Sequence, residues 1–196
     1  MNKGRIEAFS DGVIAIIITI MVLELKTPHG TTLAELKPLI PKFLSYVLSF
    51  VFVGIYWNNH HHMFHAVRQI RGAALWANLH LLFWLSVIPF ATGWMGENHF
   101  AQWPVMVYGL ILALNGGAFT ILAQVLVKEA GPESTLAKAI GKDWKSKVST
   151  LVYLLAIGLA FIDPRISLVL YTAVAIIWFI PDRRIEHVLL DEPIKG

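Results

Sequence analysis

The 196-residue chain contains no cysteine. That absence excludes thiol nucleophiles, cysteine-ligated zinc, iron–sulfur clusters and disulfides, and it leaves the redox compartment unread. Charge is scarce too. Asp, Glu, Lys and Arg make up 15% of the residues, against about 25% in soluble domains. So apolar a composition excludes a disordered segment and an ordinary nucleic-acid-binding domain. The chain has no Walker motif, nucleophile triad or catalytic carboxylate pair, so it is expected not to be an enzyme. What is abundant is apolar. With 56% hydrophobic and 12% aromatic residues and a mean hydropathy of +0.62, the chain reads as an integral membrane protein.

A helix needs about 20 mostly apolar residues to cross a hydrocarbon core about 30 Å thick. Six stretches approach that requirement: 6–25, 43–66, 73–95, 104–127, 148–162 and 166–180. The last two are short and are separated by Asp163-Pro164-Arg165. A proline inside a helix removes a hydrogen bond and clashes with the preceding turn, so two thin spans joined by a tight hairpin are expected. Asp11, Glu24 and the lack of a small-residue cleavage site argue against a signal peptide over 1–25. The expected fold class is all-α, a polytopic membrane protein whose residues 1–196 form a single six-helix transmembrane domain. No linker divides the chain, and no convincing duplication supports an inverted-repeat transporter. The polar stretch 128–147 should be a loop, with Gly131-Pro132 breaking the fourth helix and a short helix following.

Loop charges give an orientation. Lys3, Arg5, Arg68, Arg71, Lys128, Lys138, Lys142, Lys145, Lys147, Arg183, Arg184 and Lys195 fall on the N-terminal side, and Lys26, Lys37, Lys42 and Arg165 on the other. The positive-inside rule then places both termini in the cytoplasm. The pI near 9.2 reflects topology rather than a nucleic-acid partner.

Within the first span, Arg5, Phe9, Gly12, Ile16, Thr19 and Leu23 recur at intervals of 4, 3, 4, 3 and 4. They share one helical stripe, with Ile20 beside it. Arg5, Ser10 and Asp11 crowd its entrance, and ionisable groups in a membrane mark interior or pathway positions. Several copies around an axis would stack Ile16, Ile20 and Leu23 as hydrophobic rings with Thr19 as a hydroxyl ring between them. The same spacing also describes plain helix packing, and a threonine commonly bonds the carbonyl four residues earlier.

Arg5-x-x-x-Phe9-Ser10-Asp11, followed by Ile16, Thr19 and Leu23-Glu24-Leu25, resembles the first helix of the TMEM175 family of potassium-permeable cation channels. Tyr56-Trp57-x-x-His60-His61, and Asn78 through Pro89-Phe90, resemble that family's second and third helices. The resemblance implies a six-helix subunit assembling with three further copies of itself, the first helices lining the pore. It implies Ile16 as the narrowest constriction, Ile20 and Leu23 as further layers, and Thr19 as the residue implicated in potassium preference. No Thr-Val-Gly-Tyr-Gly filter is present, so selectivity among monovalent cations should be modest. The implied function is passive, potassium-preferring conduction through a lipid bilayer without a cofactor. The alternative is a secondary transporter or proton-coupled carrier using Asp11 and the second-helix histidines.

Arg5 and Asp11 lie six residues apart and do not share an i,i+4 face. Their expected partners are Trp57, His60, His61, Asn78 and His80, as a polar network that holds the first helix. His61 and His65 stand i,i+4 and could grip zinc or copper, which would admit a membrane metal-binding or haem enzyme. No His-Glu-x-x-His accompanies them, so hydrogen-bonded histidines without a metal are expected. Asn115-Gly116-Gly117 is read as a site of close helix approach.

Overall fold

The computed structural model describes residues 3–67, 69–140 and 144–179, and every regular element among them is helical. The order is α1 (Lys3–Leu23), a 3-10 segment (Leu33–Leu39), α2 (Ile40–His65), α3 (Gly72–Glu97), α4 (Gln102–Ala130), α5 (Thr135–Ile140), α6 (Trp144–Leu159) and α7 (Pro164–Phe179). Arg68, Lys142, Ile180, Arg183, Arg184 and Lys195 lie outside the described residues.

Among the described residues four helices are long and apolar enough to cross a membrane: α1, α2 with its 3-10 leader, α3 and α4. At 16 residues each, α6 and α7 span about 24 Å at 1.5 Å per residue. The break between them follows from local chemistry. Pro164 opens α7, where its missing N–H is no loss, and the Asp163 carboxylate accepts the Arg165 backbone N–H at 2.8 Å. Pro89 lies inside α3 without ending it, as membrane helices allow when neighbours satisfy the freed carbonyl. Gly131, at φ +93°, terminates α4 in a backbone region that favours glycine. The short α5 follows it.

Polar contacts show which helix ends lie together. Lys3 Nζ donates to the His65 carbonyl at 3.2 Å, and the Arg71 N–H donates to Glu129 Oε2 at 3.0 Å. The start of α1, the end of α2, the start of α3 and the end of α4 therefore share one side. At the opposite side Lys42 and Glu97 pair at 2.8 Å.

The core runs between α3 and its neighbours. Ala74, Leu81, Leu85, Ile88, Ala91 and Met95 are sealed along α3, which meets α1, α2 and α4. α4 in turn carries α6 and α7. Small residues set two close approaches. A Cβ at Gly96 would meet Ser45 and the Lys42 backbone, and one at Gly109 would collide with the Tyr171 phenol. That phenol donates to the Val105 carbonyl at 3.2 Å.

Candidate functional site: the first helix and its supports

α1 has two faces. Ile6, Ser10, Ile14, Ile17 and Met21 are buried, at spacings of 4, 4, 3 and 4 that follow the side turned toward α3 and α2. The sequence-predicted stripe lies on the other side. Arg5, Gly12 and Thr19 are exposed, as are Phe9, Ile16, Ile20 and Leu23. The contrast between neighbours is sharp, with Ile14 1% and Ile17 3% exposed against 58% for Ile16 and 77% for Leu23. The chain by itself therefore leaves the whole stripe uncovered. The Thr19 hydroxyl hydrogen is engaged locally, by the Ile16 carbonyl at 2.9 Å and the Ala15 carbonyl at 3.1 Å. Its oxygen keeps lone pairs on that exposed face.

The buried side is held by hydrogen bonds at two levels. Near the start of α1, Asn78 Nδ2 donates to Ser10 Oγ at 2.9 Å. That orientation turns the Asn78 amide oxygen toward His60 Nε2, 2.8 Å away. Ser10, His60 and Asn78 are all buried, and a closed chain of this kind avoids the cost of polar groups unpaired in an apolar interior. The His60 ring also stacks on Phe64. One residue along α1, Asp11 Oδ1 accepts the Trp57 indole N–H at 3.0 Å. His61 stacks on Trp57 and His65 stacks on His61, a ladder along the outer face of α2.

Two expected members stand apart. His80 is exposed and accepts from Trp84 Nε1 at 3.0 Å on its own helix, because two residues on from Asn78 is about 200° around an α-helix. Arg5 has no hydrogen-bond or ion-pair partner among the described residues, and the nearby ion pair is Lys3 with Glu7 at 3.8 Å. Among the described residues no group of three or more His, Asp or Glu is placed to hold a metal ion.

The second level escapes a sequence reading. Ser49 Oγ lies 2.6 Å from Thr92 Oγ1 and 2.9 Å from the Tyr108 hydroxyl, and Thr92 reaches Met21 Sδ at 3.9 Å. This buried cluster ties α2, α3 and α4 at the far end of α1. No local signal marks it, since single hydroxyl residues in apolar spans usually bond their own helix.

The family described as endosomal/lysosomal potassium channel TMEM175 matches residues 5–89 of this chain. A potassium channel of Chryseobacterium is 54% identical over 189 residues, covering 96% of this chain and 98% of that one. The chain belongs to the TMEM175 family. A potassium channel of Streptomyces collinus is 31% identical over 188 residues, covering 90% of this chain and 91% of its own length. Among solved structures, the lysosomal potassium-selective channel TMEM175 homolog from Chamaesiphon minutus superposes with a TM-score of 0.80 at 31% identity, covering 92% of this chain and 97% of that one. TMEM175 proteins are channels rather than enzymes, and the all-helical architecture here is theirs. The family match spans α1, α2 and most of α3, the helices that carry the stripe and the Ser10–Asn78–His60 chain.

Proposed function

We propose that this chain is a passive, potassium-preferring cation channel of a bacterial inner membrane, built as a homotetramer with α1 of each subunit lining a central pore. The observation that carries the reading is the division of α1 into a sealed face at Ile14 and Ile17 and an uncovered face at Ile16 and Leu23. Lipid alone gives no reason for Arg5, Gly12 and Thr19 to continue that uncovered stripe, because polar and ionisable groups are costly against hydrocarbon. A water-filled axis shared by four copies does give one. Full-length similarity to proteins named as potassium channels points the same way.

In this reading Ile16, Ile20 and Leu23 form successive constrictions that resist wetting, with Thr19 oxygens between them. A hydroxyl ring replaces only part of an ion's hydration, so potassium is preferred modestly and other monovalent cations pass. Six spans, α1 to α4 with α6 and α7, put both termini in the cytoplasm, consistent with the loop charges. No cofactor enters the mechanism. Ser10, Asp11, Trp57, His60 and Asn78 fix the angle at which α1 meets the axis.

The deciding experiment is flux from proteoliposomes under opposed potassium and sodium gradients. Electrogenic, uncoupled potassium flux with a reversal potential between the two ion potentials supports the channel. Slow, stoichiometrically coupled flux would replace it with a carrier.

A further inference from the structure

Between α2 and α7 the packing leaves an open groove of about 490 Å³, within the roughly 300–1,000 Å³ of ligand sites. Leu44, Val47 and Val51 of α2 line one wall, and Leu168, Thr172 and Ile176 of α7 the other. Its surface is hydrocarbon. Thr172 is the one polar side chain among the described lining residues, and its hydroxyl donates to the Leu168 carbonyl at 2.8 Å. The groove is also short. It follows α7 from Leu168 to Phe179, about 16 Å at 1.5 Å per residue. Along α2 it runs from Leu44 to Val51, about 10 Å by the same rise. That is the depth of one leaflet, about half of a hydrocarbon core about 30 Å thick. A helix from a second copy would cross the whole core, whereas a lipid acyl chain ends near the midplane.

The groove begins at a cation. Phe100, just beyond α3, also lines it, so its mouth lies at the side where Lys42 pairs with Glu97. The turn between α6 and α7 lies at that side too, because Phe161 meets Trp103 at the start of α4 with ring centroids 6.1 Å apart. Arg165, Leu168, Thr172, Ile176 and Phe179 recur at intervals of 3, 4, 4 and 3, so Arg165 heads the stripe of α7 that lines the groove. Arg165 is exposed, and its guanidinium has no hydrogen-bond or ion-pair partner among the described residues. The adjacent Asp163 carboxylate accepts the Arg165 backbone N–H instead, and the Lys42 charge is taken by Glu97 at 2.8 Å. A long basic side chain at the end of a span lays its stem on apolar surface and its head among the lipid headgroups, and a guanidinium matches the oxygens of a phosphate.

We propose that this groove holds one acyl chain of a phospholipid whose phosphate meets Arg165. The site depends on the chain lying in a membrane and not on what it conducts. The same stretch of α2 carries Ser49, which reaches Thr92 and Tyr108 on its buried side. A chain seated between Val47 and Thr172 therefore braces α2 against α7 at the level of that buried cluster.

The test titrates the full-length protein in detergent with dioleoylphosphatidylglycerol and counts bound lipids by native mass spectrometry. Dioleoylglycerol, which has the chains without the phosphate, and glycerophosphoglycerol, which has the phosphate without the chains, are the comparison probes. The expected result is saturable binding of the phospholipid, weaker binding of dioleoylglycerol and none of glycerophosphoglycerol. Arg165→Gln, at an exposed position, should weaken phospholipid binding about fivefold, the order expected for one basic residue at a lipid surface. Thr172→Trp should weaken it by filling the groove, and Lys128→Gln, at the other end of the bundle, should leave it unchanged. Affinity equal to the parent protein in both Arg165→Gln and Thr172→Trp overturns the site, as does dioleoylglycerol binding as tightly as the phospholipid. Should Thr172→Trp break up the assembled protein while phospholipid binding persists, the groove is a contact between copies and the proposal fails.

Discussion

The Trp57 indole donates to the Asp11 carboxylate across 3.0 Å, tying the outer face of α2 to the helix that carries the candidate pore stripe. A hydrogen bond to a charged group contributes about 1.5–3 kcal/mol. Trp57→Phe removes it while keeping an aromatic ring for His61. The expected outcome is unchanged assembly with potassium flux reduced several-fold. Loss of the assembled protein on size exclusion would make the contact structural glue instead.

Asn78 joins two buried partners, so Asn78→Leu leaves Ser10 and His60 without it. Each unsatisfied buried group costs about 1–3 kcal/mol. Thermal unfolding in detergent should show a clear loss of stability, larger than that from His80→Ala, since His80 is exposed and bonds only along its own helix. Equal losses would show that the Ser10–Asn78–His60 chain adds nothing.

Replacing Ile16 with Asn puts a polar group at the proposed constriction, where it favours wetting. Single-channel or vesicle leak should rise, with the fold intact because Ile16 is 58% exposed in the single chain. Conductance equal to the parent protein would remove Ile16 from the gate.

Thr19 gives up its hydrogen to backbone carbonyls, so only its oxygen is free for an ion. Thr19→Val keeps the shape and deletes that oxygen, whereas Thr19→Ser keeps it. Reversal potentials under mixed potassium and sodium should shift toward equal permeability in the valine variant and stay close to the parent value in the serine variant. Identical potentials in all three would take Thr19 out of selectivity.

Gly109 and Gly117 lie on the same helix and should respond oppositely to an added methyl. At Gly109 a Cβ runs into the Tyr171 phenol, and overpacking of this kind costs about 1–3 kcal/mol. At Gly117 there is nothing within 4 Å, so alanine should be neutral or slightly stabilising through its better helix propensity. Melting temperatures of the two variants, measured side by side, check the difference.

The helices and the α1 stripe were legible in the sequence for a local reason. Apolar runs of membrane length and a 4-3-4-3-4 spacing are properties of contiguous residues, and the Asp163-Pro164-Arg165 break is set by proline's own geometry. The motif Arg5-x-x-x-Phe9-Ser10-Asp11 was equally local, and it carried the family.

Partnership was not local. Asn78 and His80 read alike as polar residues of one span, yet only contact between α3 and α1 buries the first and leaves the second exposed. Ser49 meets Thr92 and Tyr108 over separations of 43 and 59 residues, which no window of sequence contains. Gly116-Gly117 has the same letters as a tight crossing, yet a Cβ at Gly116 would sit at ordinary contact distance and one at Gly117 would meet nothing within 4 Å, because absent side chains permit both outcomes. Sequence alone determined where the chain becomes helix and which stripe of α1 repeats. Tertiary packing decided which polar groups find one another, since hydrogen bonds of about 3 Å require facing helices to be set in register along their length.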